Sequence, residues 1–343
     1  MKIALITGIT GQDGSYLAEL LIEKNYKIYG IVRRNSVLFN WKRLEHIREK
    51  LILSYGDMTD GAGLNNIVNK IVQQNKNFTR LEIYNLAAQS HVKVSFEIPK
   101  YTADVDAIGV CNILEIIRGL PTNIKSKIRF YQAGTSEMFG DVVETPQNEE
   151  TPFNPQSPYG AAKVYAHNMV KIYREGYGLY GCNGILFNHE SPRRGEHFVT
   201  KKIIRGVKQI FGKSPNDVLE LGNLYSKRDW GHSKDYVYGM WLMLQQETPD
   251  DFVLATGETH TVKSFVEKAF KYKGILLRWV GEGLDEVGMC PSGKVRVKIN
   301  KKFYRPCEVD LLLGNPLKAK KVLNWERKFK TLDDLIVDMF IGE

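Results

Sequence analysis

The chain has 343 residues, which is long enough to bury a substantial core and favours a nucleotide-binding domain with a smaller second lobe. With 43% hydrophobic and 25% charged residues it has an ordinary globular composition, and no run of residues is apolar for long enough to span a membrane. The net charge of +9 is spread along the chain without a nucleic-acid-binding motif, so we expect an anionic small molecule as partner, with no nucleic acid and no membrane.

The first two-thirds of the chain alternates short β-branched apolar runs with helical patterns, which predicts βαβ units and a parallel sheet. We predict strands at residues 2–7, 27–32, 51–56, 81–87, 127–134 and 183–188. The clearest helical patterns cover residues 15–24, 61–74, 104–118 and 158–175. The predicted fold class is α/β: a Rossmann-type doubly wound parallel sheet with a smaller, mixed α/β C-terminal substrate lobe.

After residue 190 the pattern changes to basic helices, turns and short strands such as residues 294–300. We therefore predict a dinucleotide-binding domain at residues 1–190 and a lobe that mainly binds substrate at residues 191–343. A strand-like run at residues 251–256 suggests that a segment of about 230–258 returns to the first domain.

The cysteines and the N-terminal residues favour a cytoplasmic protein. The opening MKIALITG predicts a buried strand rather than the apolar region of a signal peptide. The cysteines have no C-x-x-C pair and no histidine at metal-ligand spacing, so we expect free thiols and no metal site. They are Cys111, Cys182, Cys290 and Cys307.

The first predicted strand ends in a turn that contains Gly8, Gly11 and Gly14. Glycines let the backbone turn tightly and approach a pyrophosphate, whose charge is met by the N–H groups of the following helix. Because this turn follows the first strand of a βαβ series, a dinucleotide site is favoured over a chance group of glycines. The other residues of the turn that we predict to bind the cofactor are Thr10, Gln12 and Asp13.

Two arginines follow the second predicted strand. An acidic residue there would bind the ribose 2′-OH of NAD, whereas Arg33 and Arg34 favour the 2′-phosphate of NADP over a merely solvated turn. Asp57 either caps the next helix or bonds the adenine. Further predicted cofactor residues are Asn35, Ser36, Met58, Leu86, Ala87, Ala88, Gln89, Ser90 and Tyr101.

Tyr159 and Lys163 lie four residues apart, on one face of a predicted helix. The pKa of a free phenol is about 10, and a nearby ammonium favours the phenolate, so Lys163 would make Tyr159 a better base. A Y-x-x-x-K pattern is common on exposed helices. Here it becomes specific because Thr135, at the end of a preceding strand, offers a hydroxyl that could bond the same substrate oxygen.

These motifs resemble those of the extended short-chain dehydrogenase/reductase superfamily. Within it, the chain resembles the GDP-mannose 4,6-dehydratase family over essentially its whole length. Seven segments carry the resemblance: GITGQDGSYLAELL, NLAAQSHV, GTSEMFG, SPYGAAK, FNHESPRRGE, RDWGHSKDYV and RPCEVD. Two positions depart from the family pattern and could alter the shape of the pocket: Gly134 stands where serine is usual, and Phe139 where tyrosine is usual.

The resemblance implies an internal redox cycle on GDP-mannose. Tyr159 takes the proton of the 4-OH while C4 gives a hydride to NADP+. Glu137, with a pKa raised by burial, takes the C5 proton and helps the C6 hydroxyl to leave as water. The hydride returns to C6 and gives GDP-4-keto-6-deoxymannose, the first step toward 6-deoxyhexoses such as GDP-fucose or GDP-rhamnose. An isolated glutamate would more often be an exposed carboxylate.

The resemblance also implies binding residues and an assembly. It adds His189 and Arg194 to the cofactor site. The implied substrate residues are Ser90, Thr135, Ser136, Glu137, Tyr159, Asn188, Val199, Lys202, Arg228, Arg305 and Glu308. The loop at residues 33–47 would reach a neighbouring subunit's cofactor site in a homotetramer built from two dimers, whereas physical reasoning alone identifies only a long basic loop.

Two other functions fit parts of the pattern. An epimerase or 4-reductase acting on another nucleotide sugar would need Tyr159 and Lys163 but not Glu137. A noncatalytic NADP sensor would need neither Tyr159 nor Lys163.

Overall fold

The computed structural model describes residues 1–34, 42–304, 307, 309 and 311–342. The strands, in chain order, are β1 Lys2–Thr7, β2 Lys27–Val32, β3 Leu51–Tyr55, β4 Arg80–Asn85, β5 Ile128–Ala133, β6 Gly181–Leu186, β7 Asn188–Glu190, β8 Leu219–Leu221, β9 Lys227–Arg228, β10 Trp230–His232, β11 Phe252–Leu254, β12 His260–Thr261, β13 Arg278–Val280, β14 Val287–Met289 and β15 Val295–Ile299.

The α-helices are α1 Gln12–Glu23, α2 Gly61–Gln74, α3 Val92–Glu97, α4 Pro99–Ala103, α5 Gly109–Gly119, α6 Thr122–Lys125, α7 Pro158–Tyr177, α8 Val199–Ile210, α9 Ser233–Met243, α10 Val262–Tyr272, α11 Leu317–Leu323 and α12 Leu332–Ile341. One π-helical turn, Asp104–Ile108, joins α4 to α5. In the part of the chain that the structure describes, no helix is both long enough and apolar enough to cross a membrane.

Seven parallel strands form the central sheet, in the order β11-β6-β5-β4-β1-β2-β3. Strands such as β1 and β6 are buried along nearly their whole length because helices cover both faces of the sheet. Helices α1 and α9 pack on one face, and α2, α5 and α7 on the other. The predicted Rossmann-type sheet is confirmed, and the six predicted strands are β1 to β6.

The helix that carries Tyr159 and Lys163 has strong signals at both ends. Ser157 caps the start of α7 by accepting the N–H of Gly160 at 3.0 Å, and Pro158 occupies the first turn. Gly178 ends the helix in the left-handed conformation, with φ of 64°. These fixed ends set the position of both side chains relative to the sheet.

A second, mixed sheet lies in the C-terminal half, with the order β13-β14-β15-β8. It packs with α8, α10 and α12 around a separate apolar cluster that includes Ile203, Phe265 and Phe270. The lobe boundary near residue 190 stays a prediction. The proposed return of residues 230–258 is favoured by β11, which pairs with β6 at the edge of the central sheet.

Candidate active site

A cleft of about 460 Å³ lies where the carboxyl ends of β1, β4, β5 and β6 meet. This edge of a parallel sheet is where α/β folds bind nucleotides. The cleft brings together most of the cofactor and catalytic residues predicted from the sequence. Those that line it are Gly8, Thr10, Gly11, Gln12, Asp13, Gly14, Arg33, Asp57, Met58, Leu86, Ala87, Ala88, Ser90, Tyr101, Thr135, Ser136, Glu137, Tyr159, Lys163, Asn188, His189 and Arg194.

The glycine turn after β1 is shaped so that a side chain would not fit. Gly8 has φ of +66°, and a Cβ atom there would lie 2.9 Å from the backbone nitrogen of Ala87. A Cβ atom on Gly14 would lie 2.4 Å from the carbonyl oxygen of Gly8. Gly11 is the N-cap residue of α1 and has no side chain that could cap the helix. The N-terminal residues of α1 line the cleft, where the N–H groups of the helix suit an anion.

An ion pair joins the glycine turn to the strand after β6. Asp13 Oδ2 lies 2.8 Å from His189 Nε2, and Asp13 Oδ1 accepts the hydroxyl of Ser233 at 2.6 Å. Burial opposes ionisation of Asp13, but His189 and Ser233 outweigh it and lower the pKa of Asp13 to about 2. Burial likewise disfavours the charged form of His189, yet Asp13 raises the pKa of His189 above its usual value. Asp13 and His189 therefore each favour the charged form of the other beside the turn.

The two arginines after β2 are placed differently. Arg33 lines the cleft and donates to the hydroxyl of Tyr101. Arg34 is outside the lining, with its guanidinium 5.8 Å from the centre of the Tyr55 ring. Arg43, which the sequence analysis missed, lines the cleft and donates to the carbonyl of Thr10 at 3.1 Å. Its position in the long basic loop was the available signal.

Two roles were considered for Asp57, capping α2 and binding the adenine, and the structure excludes the first. Asp60, and not Asp57, caps α2 by accepting the N–H of Gly63 at 2.9 Å. Asp57 lines the cleft and accepts the N–H and the hydroxyl of Thr59. Binding to the adenine stays a prediction for Asp57.

Thr135, Glu137, Tyr159 and Lys163 form a buried cluster at one end of the cleft. The hydroxyl of Thr135 accepts the N–H of Glu137 at 3.2 Å. Lys163 Nζ donates to the carbonyl of Ala133 at 3.0 Å and lies 5.8 Å from the centre of the Tyr159 ring. A base, a carboxylate and a hydroxyl thus share one water-poor site.

The pKa of Tyr159 runs opposite to the expectation from the sequence. Burial and then the Asp106 carboxylate raise it well above the usual value, while the hydrogen bond from Thr135 lowers it. The buried phenol is therefore held protonated by the protein alone. The expectation that the Lys163 ammonium would give Tyr159 a lowered pKa is therefore wrong for the described residues, because burial outweighs the groups that favour the phenolate.

Some predicted residues lie away from this cleft. Gln89 donates its N–H to Asp106 and its side chain to Thr102, so it supports the wall rather than lining it. Val199 begins α8 outside the lining, and Arg228 is buried on β9. Asn35, Ser36, Arg305 and Glu308 lie outside the described residues, as do residues 35–41 of the loop at residues 33–47.

Lys202 lines a second cavity of about 370 Å³ together with Arg205 and Phe303. Its ammonium lies 3.2 Å from the centre of the Phe303 ring. Burial and then Lys302 lower the pKa of Lys202 to about 8. The two cavities are adjacent along the chain, because residues 193–195 line the first and Glu196 lines the second.

The parallel sheet, the glycine turn and the Thr-Tyr-Lys cluster define a nicotinamide-dependent enzyme of the short-chain dehydrogenase/reductase type. Solved structures agree on the fold: dTDP-glucose 4,6-dehydratase from Bacillus anthracis in complex with NAD has a TM-score of 0.77 at 19% identity, covering 100% of this chain and 97% of that one. UDP-glucose 4-epimerase from Thermus thermophilus in complex with NAD has a TM-score of 0.76 at 21% identity, covering 100% and 99%.

Sequence comparison identifies the family. Residues 5–339 match the family model for GDP-mannose 4,6 dehydratase. The chain is 55% identical to GDP-mannose 4,6 dehydratase of Drosophila melanogaster, over 98% of this chain and 85% of the relative. It is 51% identical to that of Homo sapiens, over 98% and 90%, and 53% identical to that of Sinorhizobium fredii, over 97% and 94%. The chain belongs to the GDP-mannose 4,6-dehydratase family.

Proposed function

We propose that this protein converts GDP-mannose to GDP-4-keto-6-deoxymannose with NADP as a recycled cofactor. The observation that carries the proposal is the position of Glu137, whose backbone N–H bonds to Thr135 in the buried cluster that also contains Tyr159. Oxidation at C4 needs only a phenolate and a hydroxyl. A carboxylate at the same site is what the elimination of water from C5 and C6 requires.

The residues of the cleft fit a dinucleotide. Gly8 and Gly14 let the turn pack tightly against its own backbone, where a Cβ atom would clash, and the N-terminus of α1 suits the charge of a pyrophosphate. Asp13 raises the pKa of His189, which favours a positive charge beside the turn. When bound, the cofactor supplies the oxidation by accepting a hydride from C4 and returning it to C6.

The side chains of the cluster divide the proton transfers. Tyr159 takes the proton of the 4-OH, and Thr135 bonds the same oxygen as it becomes a ketone. Glu137 removes the C5 proton, which the ketone has made acidic, and gives a proton to the departing C6 hydroxyl. Tyr159 then returns its proton to C5. The shielding of this cluster from water protects the keto intermediate between the two hydride transfers.

NADP is proposed over NAD because Arg33 follows β2 and lines the cleft, where NAD enzymes carry a carboxylate. Arg43 adds a second guanidinium near the turn. Replacing Arg33 by alanine should raise the KM for NADP+ and leave the KM for NAD+ unchanged. Equal changes for the two cofactors would count against a 2′-phosphate contact.

We also propose that the protein forms a homotetramer through residues 33–47. We further propose that it is cytoplasmic. The described end of the loop contacts the cofactor turn of its own chain through Arg43, which places the loop beside the cofactor site. An exposed free thiol at Cys307 suits a reducing compartment. Sedimentation across a dilution series should show cofactor release together with subunit dissociation, and retention of cofactor by the separated subunits would refute the interface.

The decisive experiment incubates the purified protein with GDP-mannose and catalytic NADP+ while the nucleotide sugar is followed by mass spectrometry and NADPH by absorbance. We expect the sugar to lose one water with no accumulation of NADPH. Tyr159→Phe is the control and should leave the sugar mass unchanged. A change of sugar configuration at constant mass would favour an epimerase, and cofactor binding without change in any nucleotide sugar would favour the sensor.

A further inference from the structure

An ion pair between Glu190 and Arg194 lies in the wall of the cleft, and the proposed proton transfers do not use it. Glu190 ends β7 and is 2% exposed. Its Oε2 lies 3.0 Å from Arg194 Nε and accepts the hydroxyl of Thr200 at 2.5 Å. Thr200 is itself buried, in the first turn of α8. Two partners therefore fix one oxygen of a carboxylate that solvent barely reaches.

Arg194 lines the cleft beside the glycine turn. Ser191 joins it to that turn, because the Ser191 carbonyl accepts the N–H of Arg194 at 3.0 Å and the Ser191 hydroxyl donates to Gln12 Oε1 at 2.7 Å. The guanidinium carbon of Arg194 lies 3.7 Å from the centre of the Phe198 ring, which also lines the cleft. With Glu190 at the Nε edge and Phe198 over one face, the terminal nitrogens of Arg194 are the part left to face the cleft.

The hydrogen bond from Thr200 does not require a charge at position 190. A glutamine there would accept the same hydroxyl through its amide oxygen, and it would avoid burying a carboxylate. A buried ion pair is also weak support for stability, because the cost of taking two charges out of water can exceed their attraction. An arginine side chain, in contrast, loses much rotational freedom when it must present its nitrogens in one direction. The charge of Glu190 is therefore best explained by its effect on the direction of Arg194.

We propose that Glu190 is a positioning residue that acts through Arg194 and holds its terminal nitrogens toward the pyrophosphate of the bound dinucleotide. This inference rests on the proposed function, because that function supplies the dinucleotide. A glycine turn before a helix binds the pyrophosphate, which is the anionic part common to NADP and NAD. Glu190 and Thr200 hold the arginine before the cofactor arrives, so less binding free energy is lost in ordering the side chain.

Calorimetry of NADP+ binding to Glu190→Gln tests the proposal without turnover. The glutamine keeps an acceptor for Thr200 but removes the charge that fixes Arg194. The Kd for NADP+ should therefore rise about tenfold, the size expected when one hydrogen bond to a charged group is weakened. The Kd for NAD+ should rise by the same factor, whereas Arg33→Ala should affect NADP+ alone. An unchanged Kd, or a loss confined to one of the two cofactors, would overturn the proposal.

Asp251→Asn is the matched control. Asp251 is also a buried carboxylate paired with an arginine, since its Oδ1 lies 2.8 Å from Arg174 Nη1, but neither of these two residues lines the cleft. This variant should keep the parental Kd for NADP+ even where its melting temperature falls. Equal weakening of NADP+ binding in Glu190→Gln and Asp251→Asn would show a general effect of losing a buried ion pair, and it would overturn the proposal.

A double-mutant cycle tests whether Glu190 acts through Arg194. In an Arg194→Met background, Glu190→Gln should not weaken NADP+ binding further, because no guanidinium remains to be oriented, and additive losses would overturn the proposal. Arg194→Lys keeps a positive charge without the Nε that Glu190 holds, and it also serves if Glu190→Gln does not fold. It should bind NADP+ more weakly than the parent, and parental affinity would refute positioning. If GDP-mannose is not dehydrated, the proposed function fails, while these cofactor affinities still decide the inference.

Discussion

Replacing Gly8 by alanine tests the shape of the cofactor turn. A non-glycine residue at φ of +66° costs about 1–2 kcal/mol. The added Cβ atom would lie 2.9 Å from the Ala87 nitrogen and 3.1 Å from the Leu86 carbonyl carbon, both backbone atoms that cannot move aside. Crowding of this kind adds about 1–3 kcal/mol, so the total loss of unfolding free energy should be about 2–5 kcal/mol.

Differential scanning fluorimetry with and without NADP+ measures both consequences. The melting temperature should fall by at least about 4 °C, since roughly 2–4 °C corresponds to 1 kcal/mol in chains of a few hundred residues. Added NADP+ should no longer raise it, because the backbone cannot approach the pyrophosphate. The control is Gly176→Ala on α7, where a Cβ atom meets nothing within 4 Å and stability should rise slightly. A melting temperature for Gly8→Ala within 1 °C of the parent would refute the reasoning.

Three further predictions concern the ionisable groups. Glu137→Gln should bind GDP-mannose normally by calorimetry but lose about 10²–10⁴-fold in dehydration rate, and an unchanged rate would remove its assigned role. The pKa of Asp13 is lowered to about 2, so its ion pair contributes stability above pH 4 that is lost as the pH falls through 2. Asp13→Asn should therefore cost about 2 kcal/mol in urea unfolding at pH 7 and less at pH 3, and a pH-independent cost would contradict this assignment. Lys202→Met should raise the KM for GDP-mannose without changing NADP+ affinity, and equal losses of both would place Lys202 at the cofactor site.

The central sheet could be predicted because its strands are short runs rich in apolar residues that alternate along the chain with helical patterns. The prediction placed β6 at 183–188, whereas the strand is Gly181–Leu186, because backbone pairing to β5 at its start and to β11 at its end, rather than the side-chain pattern, sets its ends. The strands β7 and β10 have three residues each, too few to show any periodicity. Their pairing joins segments 42 residues apart and depends on the fold that surrounds them.

The residues of the candidate site that belong to contiguous sequence motifs could be predicted. Those whose contacts are with residues far away in the sequence could not. Thr135, Tyr159 and Lys163 could be recognised from their order along the chain. The carboxylate of Asp106 could not, since its sequence neighbours form an ordinary helical pattern and only the packing of α7 brings it near Lys163. Arg43 was missed for the same reason, because its contact with Thr10 depends on the path of the loop.

β11, the strand of the central sheet that comes last along the chain, affects how the protein folds during synthesis on the ribosome. β11 covers the edge of β6, and Ser233 completes the hydrogen bonds of Asp13 from 220 residues further along the chain. A nascent chain that has emerged only as far as residue 190 therefore carries an open sheet edge and an unfinished phosphate turn. The cofactor should consequently be captured only after most of the polypeptide has been made, and fragments that stop before residue 252 should need chaperones and fail to bind NADP.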